Sequence, residues 1–176
     1  MENNNQLPKV IKLFNFAKKE RSLGGVYKIS SIPRISEIAR NKEDNVKVDL
    51  SFYLENNKTP CIKGIINLNI ILDCQRCLEA LPIELKVDFK LAFVRYEQQA
   101  EGLDSSYELY VTKEEEEEEL LTIDIITDEI LLSIPMAPSH DFDCNSIINK
   151  DEVVEESREN PFTILKNIKI ANDGKE

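Results

Sequence analysis

The sequence predicts an α+β fold: an antiparallel β-meander sheet or partly closed barrel with short flanking helices. Three observations carry this. Three stretches in the middle of the chain alternate apolar and polar residues, helical spacing is confined to short segments on either side, and 176 residues suit one domain. In the first stretch Val46, Val48, Leu50, Phe52 and Leu54 alternate with Lys47, Asp49, Ser51 and Tyr53, so one face is buried and the other wet. Asn56-Asn57-Lys58-Thr59-Pro60 reads as a turn. The second strand places Ile62, Ile66, Leu68, Ile70 and Leu72 on one face. The third does the same with Ile83, Leu85, Val87, Phe89, Leu91 and Phe93. Cys74-Gln75-Arg76-Cys77 falls between these two strands, at or near the hairpin turn.

The flanks are shorter and more irregular. Val10, Leu13, Phe14 and Ala17 give a short helical pattern over 9–22, and Leu23-Gly24-Gly25-Val26-Tyr27 breaks it as a turn or special backbone conformation. Pro33 precedes a second helical pattern of Ile35, Ile38 and Ala39. Residues 97–106 read as a polar loop and 107–111 as a short strand, followed by six carboxylates at 114–119, a run that repels itself and stays solvated. Asp124 is the expected N-cap of a helix carrying Ile125, Ile126, Glu129, Ile130 and Leu131, which Pro135 and Pro138 end. Residues 139–159 read as acidic and irregular. Asn160-Pro161 then opens a terminal helix with Phe162, Leu165 and Ile168 that docks on the sheet.

The net charge of −11 is unevenly distributed. Through Lys47 there are ten Lys/Arg against five Asp/Glu, so that part is +5; the remainder has twelve against twenty-eight and is −16. An acidic body repels phosphate backbones, so direct contact with nucleic acid would use the N-terminal part, including Lys12, Lys18, Lys19 and Arg21. The same asymmetry equally suits a basic protein partner, or solubility alone. No run approaches the roughly 18 apolar residues of a membrane span, and the polar N-terminus does not read as a secretory signal. The expected location is the cytoplasm.

Four cysteines, Cys61, Cys74, Cys77 and Cys144, in such a chain do not suggest a disulfide framework. Two thiolates three residues apart in a tight turn can face one ion, as in a zinc knuckle. That is half a site, and His140 with Cys144 would complete a Cys3His set for one structural zinc. Two further readings stand beside it: inert reduced cysteines packed at the hairpin, and a redox pair, though a thioredoxin-type pair sits at a helix N-terminus rather than after a strand. Arg76 either presents a charge at the hairpin tip as an interaction residue or is an exposed turn residue. Cys61 reads as a small core or edge residue. Neither a phosphate loop nor a nucleophile beside His140 is present, and no catalytic constellation stands out.

Four segments together resemble the YceD family, the large ribosomal RNA subunit accumulation proteins. They are Leu23-Gly24-Gly25-Val26-Tyr27; Leu72-Asp73-Cys74-Gln75-Arg76-Cys77-Leu78-Glu79; Ile123-Asp124 with Asp128-Glu129-Ile130-Leu131-Leu132-Ser133-Ile134-Pro135 and Pro138-Ser139-His140; and Asn160-Pro161-Phe162-Thr163-Ile164-Leu165. The resemblance implies a single domain over 8–169, with a basic segment at 8–45, an acidic loop region at 97–119 and a flexible tail at 170–176. It further implies a non-catalytic cytoplasmic factor for synthesis, processing or stability of large-subunit ribosomal RNA, with that RNA or ribosome-assembly proteins as partners. The alternative from a different class is an enzyme, a thiol oxidoreductase or a metal-dependent nuclease. Some family members carry a glycine-containing C-x-x-C block beyond the proline-ended helix, where this sequence keeps only His140 and Cys144.

Overall fold

Period-two patterning in the middle of the chain becomes a sheet in the computed structural model, which describes residues 7–56, 58–112 and 119–144. Contacts divide the chain into two units, Met1–Cys144 and Asn145–Glu176, and every described residue lies in the first. The terminal helix expected at 160–168, the tail and the carboxylates at 114–118 lie outside the described residues.

In chain order the elements are β1 (Val10–Ile11), α1 (Leu13–Lys18), β2 (Ser22–Lys28), α2 (Pro33–Ile38), β3 (Asn45–Glu55), β4 (Thr59–Asp73), β5 (Ala80–Val94), β6 (Glu108–Val111), β7 (Leu120–Leu121) and α3 (Thr122–Ser133). Strands β2 to β6 form one open sheet in sequential order, antiparallel except for the parallel β5–β6 pair. A separate antiparallel pair joins β1 to β7. The fold is α+β, with few and short helices.

The alternating residues bury as their period requires. Val46, Val48, Leu50 and Phe52 of β3 share a core with Ile62, Ile66, Leu68, Ile70 and Leu72 of β4 and Leu85, Val87, Phe89, Leu91 and Phe93 of β5. Leu13 and Ala17 of α1, Ile35 of α2, and Ile125, Ile126 and Ile130 of α3 belong to the same core. Phe16 meets Phe52 edge to face, with centroids 5.4 Å apart, an aromatic geometry worth about 0.5–1.5 kcal/mol beyond area burial. Gly64 pairs with Phe89, whose ring covers it so closely that a Cβ on Gly64 would lie 2.1 Å from Phe89 Cζ.

Four local expectations are corrected. Val10 is in β1, paired with Leu121, because a two-residue strand there lets α1 start only at Leu13. The paired glycines do not turn the chain: Gly24 and Gly25 lie in β2 opposite Asp49 and Val48, and only Gly102 among the described glycines has a positive φ. A Cβ on Gly24 would sit 2.9 Å from an oxygen of the exposed Asp49 side chain, which can swing aside. Helix α3 begins at Thr122, with Leu121 at the N-cap position, so Asp124 lies in the first turn instead. There its charge still complements the positive end of the helix dipole, and the Thr122 hydroxyl donates to the Pro8 carbonyl. Strand β6 departs from antiparallel pairing because 97–107 carry the chain back along β5 before it resumes.

Candidate metal centre

The 15-residue strands β4 and β5 run antiparallel from Cys61 opposite Ala92 to Asp73 opposite Ala80, and residues 74–79 close the hairpin. The Cys74 N–H donates to the Glu79 carbonyl and the Leu78 N–H to the Cys74 carbonyl, both at 2.9 Å. Closing this loop puts Leu78 at φ 61°, a left-handed conformation that costs a non-glycine residue about 1 kcal/mol or more. The turn therefore needs support from outside itself.

That support comes from two sides. Arg40, just beyond α2, donates through Nε to the Asp73 carboxylate at 2.5 Å and through its second terminal nitrogen to the Leu78 carbonyl at 2.7 Å. Beyond α3, Pro135 and Pro138 prevent the helix from continuing and the chain returns to the turn. The Gln75 N–H donates to the Pro138 carbonyl at 2.8 Å. Arg76 donates to the carbonyls of His140 and Phe142, the latter at 3.0 Å. Arg76 is thus half-buried and clamps the returning segment instead of standing out at the tip.

Together these contacts gather Cys74, Cys77, His140 and Cys144, whose ligand atoms all lie within 4.8 Å of one another. Cys74 and Cys144 are buried, with Sγ atoms 3.7 Å apart. His140 Nε2 faces the Ala80 carbonyl at 3.3 Å, and Nδ1 faces Cys77 Sγ at 3.5 Å. A carbonyl only accepts, so Nε2 carries the proton and Nδ1 presents a lone pair toward the sulfurs. Ligating histidines are commonly oriented in this way, the other ring N–H being held by a carbonyl. Burial pushes the Cys74 thiol up, but backbone N–H groups of Cys77, Arg76 and His140 aimed at its sulfur outweigh burial and lower its pKa. Cys144 is pushed up by burial and by its hydrogen bonds to Cys77 and Cys74. One thiol of the buried pair is thus prepared to ionise first.

The sequence-selected residues divide clearly. The two halves of the Cys3His set come together. Cys61 is apart from them, buried with its Sγ donating to the Thr59 carbonyl at 3.5 Å, and burial raises its pKa to about 11. Lys12, just before α1, Lys18 at its end, and Lys19 and Arg21 beyond it are all exposed. Lys12 pairs with Glu119 at 3.6 Å and the Arg21 guanidinium sits 4.9 Å over the Phe16 ring. Sequence reasoning missed the supports: Arg40, Asp73 and the carbonyls of Ala80 and Pro138. Backbone carbonyls leave no mark on a sequence, and an arginine 33 residues from its aspartate has no local signal.

Fold and site define a class: an α+β protein with a mostly antiparallel open sheet and a four-residue Cys/His cluster at the turn of its longest hairpin. The family model for the large ribosomal RNA subunit accumulation protein YceD matches residues 62–169, which contain the whole cluster. The chain belongs to the YceD family. It is 29% identical over 170 residues to the large ribosomal RNA subunit accumulation protein YceD of Haemophilus influenzae, covering 93% of this chain and 97% of the relative. No solved structure is a significant match.

Proposed function

We propose that this protein is a non-catalytic factor acting in the cytoplasm to support synthesis, processing or stability of large-subunit ribosomal RNA, in contact with that RNA or with ribosome-assembly proteins. Family membership carries the reading, since the matching family is named for accumulation of this RNA. Deleting the gene and measuring mature and precursor large-subunit RNA tests it. Reduced accumulation, restored by the wild-type gene, is expected; unchanged levels and processing would refute it.

The same proposal assigns one structural zinc to Cys74, Cys77, His140 Nδ1 and Cys144. Zinc bonds of roughly 2.3 Å to sulfur and 2.0–2.1 Å to nitrogen give tetrahedral edges of about 3.8 Å between sulfurs and about 3.5 Å from sulfur to nitrogen. The separations of 3.7 Å for Cys74–Cys144 and 3.5 Å for Cys77–His140 support that ion. An attacking thiolate needs access, whereas Cys74 is fully buried and Cys77 half-buried against His140. The geometry favours a structural ligand set over a thiol oxidoreductase. Bound zinc would neutralise the thiolates and cross-link the hairpin to the segment beyond α3.

A further inference from the structure

At the end of the β4–β5 hairpin away from the cysteines, the surface changes character. Phe14 is 54% exposed on α1 and forms a wall shared by two open hollows of about 630 and 590 Å³. Lys12, Lys18 and Lys19 line one; Lys58 and Arg95 line the other, over a floor that includes Pro60 and Phe93. Among the described residues no carboxylate lines either hollow, on a chain whose net charge is −11. At the margin Lys12 pairs with Glu119 at 3.6 Å.

We infer that this surface binds single-stranded RNA, with the backbone tracking Lys18, Lys19 and Lys58 and a base stacked on Phe14. The inference rests on the proposed role in ribosomal RNA accumulation and names the surface and the form of RNA. An exposed ring between two cationic hollows is the combination single-strand binders use, a charged groove for phosphates and an aromatic platform for bases. A duplex keeps its bases stacked and offers Phe14 no free face. The −16 charge beyond Lys47 opposes phosphate contact over much of the rest of the molecule. An acidic protein segment would engage the cations but would not need the ring.

Fluorescence anisotropy with a labelled oligouridylate of about twelve nucleotides, titrated across salt concentrations, separates these contributions. Phe14→Ala should weaken binding about fivefold or more while leaving the salt slope unchanged. The double variant Lys18→Gln, Lys19→Gln should flatten that slope by about 1.4, since each neutralised phosphate on a single strand contributes roughly 0.7. All the substituted side chains are exposed, and unchanged melting and circular dichroism should confirm intact folds. The inference is overturned if wild type does not bind at low salt, if Phe14→Ala binds like wild type, or if a same-length duplex binds equally. Displacement of the probe by oligoglutamate as readily as by unlabelled oligouridylate would overturn it in favour of an acidic protein partner. Failure of these experiments with ribosomal RNA still reduced in the deletion strain would remove the surface but leave the proposed function. Normal RNA in that strain, with binding intact, would do the reverse.

Discussion

Removing the proposed zinc should lower the melting temperature by an amount that chain topology sets. Cys74 and Cys144 are 70 residues apart in sequence, and Cys77 and His140 are 63 apart. A cross-link closing a loop of that length removes about 4 kcal/mol of unfolded-chain entropy at 25 °C. The unfolded chain retains some affinity for the ion, so about 2–4 kcal/mol is expected. At about 2.1 cal/mol/K per residue, a unit of 144 residues loses roughly 0.3 kcal/mol of stability per degree near its midpoint. The expected fall is therefore about 7–13 °C. Differential scanning fluorimetry of untagged, reduced protein before and after chelation reads it, and elemental analysis should give one zinc per chain. Cys144→Ala should melt at the lower temperature and no longer respond to chelator. Zinc content near zero, or a melting temperature indifferent to both chelator and added zinc, would refute the reasoning.

Three further perturbations test other parts of the structure. Burial, with Glu108 and Asp128 nearby, raises the Glu129 carboxyl from 4.5 to about 7. The folded protein then holds a proton that the unfolded chain releases between those values, so this group costs stability as pH rises through that window. Glu129→Gln should be on the order of 2 kcal/mol more stable than wild type at pH 8 and equal to it near pH 4.5; a pH-independent difference in chemical denaturation would contradict this. Gly64→Ala forces a Cβ into the Phe89 ring and should cost about 1–3 kcal/mol in urea denaturation, with Phe89→Leu in the same chain recovering part of it. The Tyr107 hydroxyl donates to Glu55 at 2.8 Å and meets the Tyr53 hydroxyl at 3.0 Å. Tyr107→Phe should therefore lower stability by about 1–2 kcal/mol, and an unchanged denaturation midpoint would show this network to be energetically idle.

What could be read from the chain follows the range of the forces involved. Strands β3 to β5 were legible because burying one face writes itself as alternation, residue by residue, from Val46 to Phe93. Pro33 and the prolines after α3 were legible because a missing N–H acts locally. Gly24 was misread because it sits in ordinary strand backbone, and its pairing with Asp49 across the sheet is long-range and leaves no mark beside it in the sequence. The cysteine hairpin was visible as half a site. Its completion was visible only as a composition, because the contacts that return residues 138–144 to the turn are long-range backbone bonds. Arg76 shows the limit most plainly: at a turn it reads as exposed, yet its guanidinium holds two carbonyls 64 and 66 residues away.

Those same contacts decide what a bound ion would add. The returning segment reaches the hairpin through the Arg76 bonds, the Gln75 N–H and the His140 ring, all weak singly. Arg76 Nε is buried with no partner among the described residues, so the clamp is not fully satisfied on its own. A leftover buried donor of this kind costs about 1–3 kcal/mol. An unassisted clamp would then be close to break-even, and the left-handed Leu78 tilts it further toward opening. Four ligands converging on one ion reverse that balance. They also confine their effect to this end of the hairpin, because 15 residues of strand, roughly 45 Å, separate the cysteines from the hollows around Phe14. Substitutions at Phe14 should accordingly leave zinc content unchanged, and loss of the ion should reach that surface only through global unfolding.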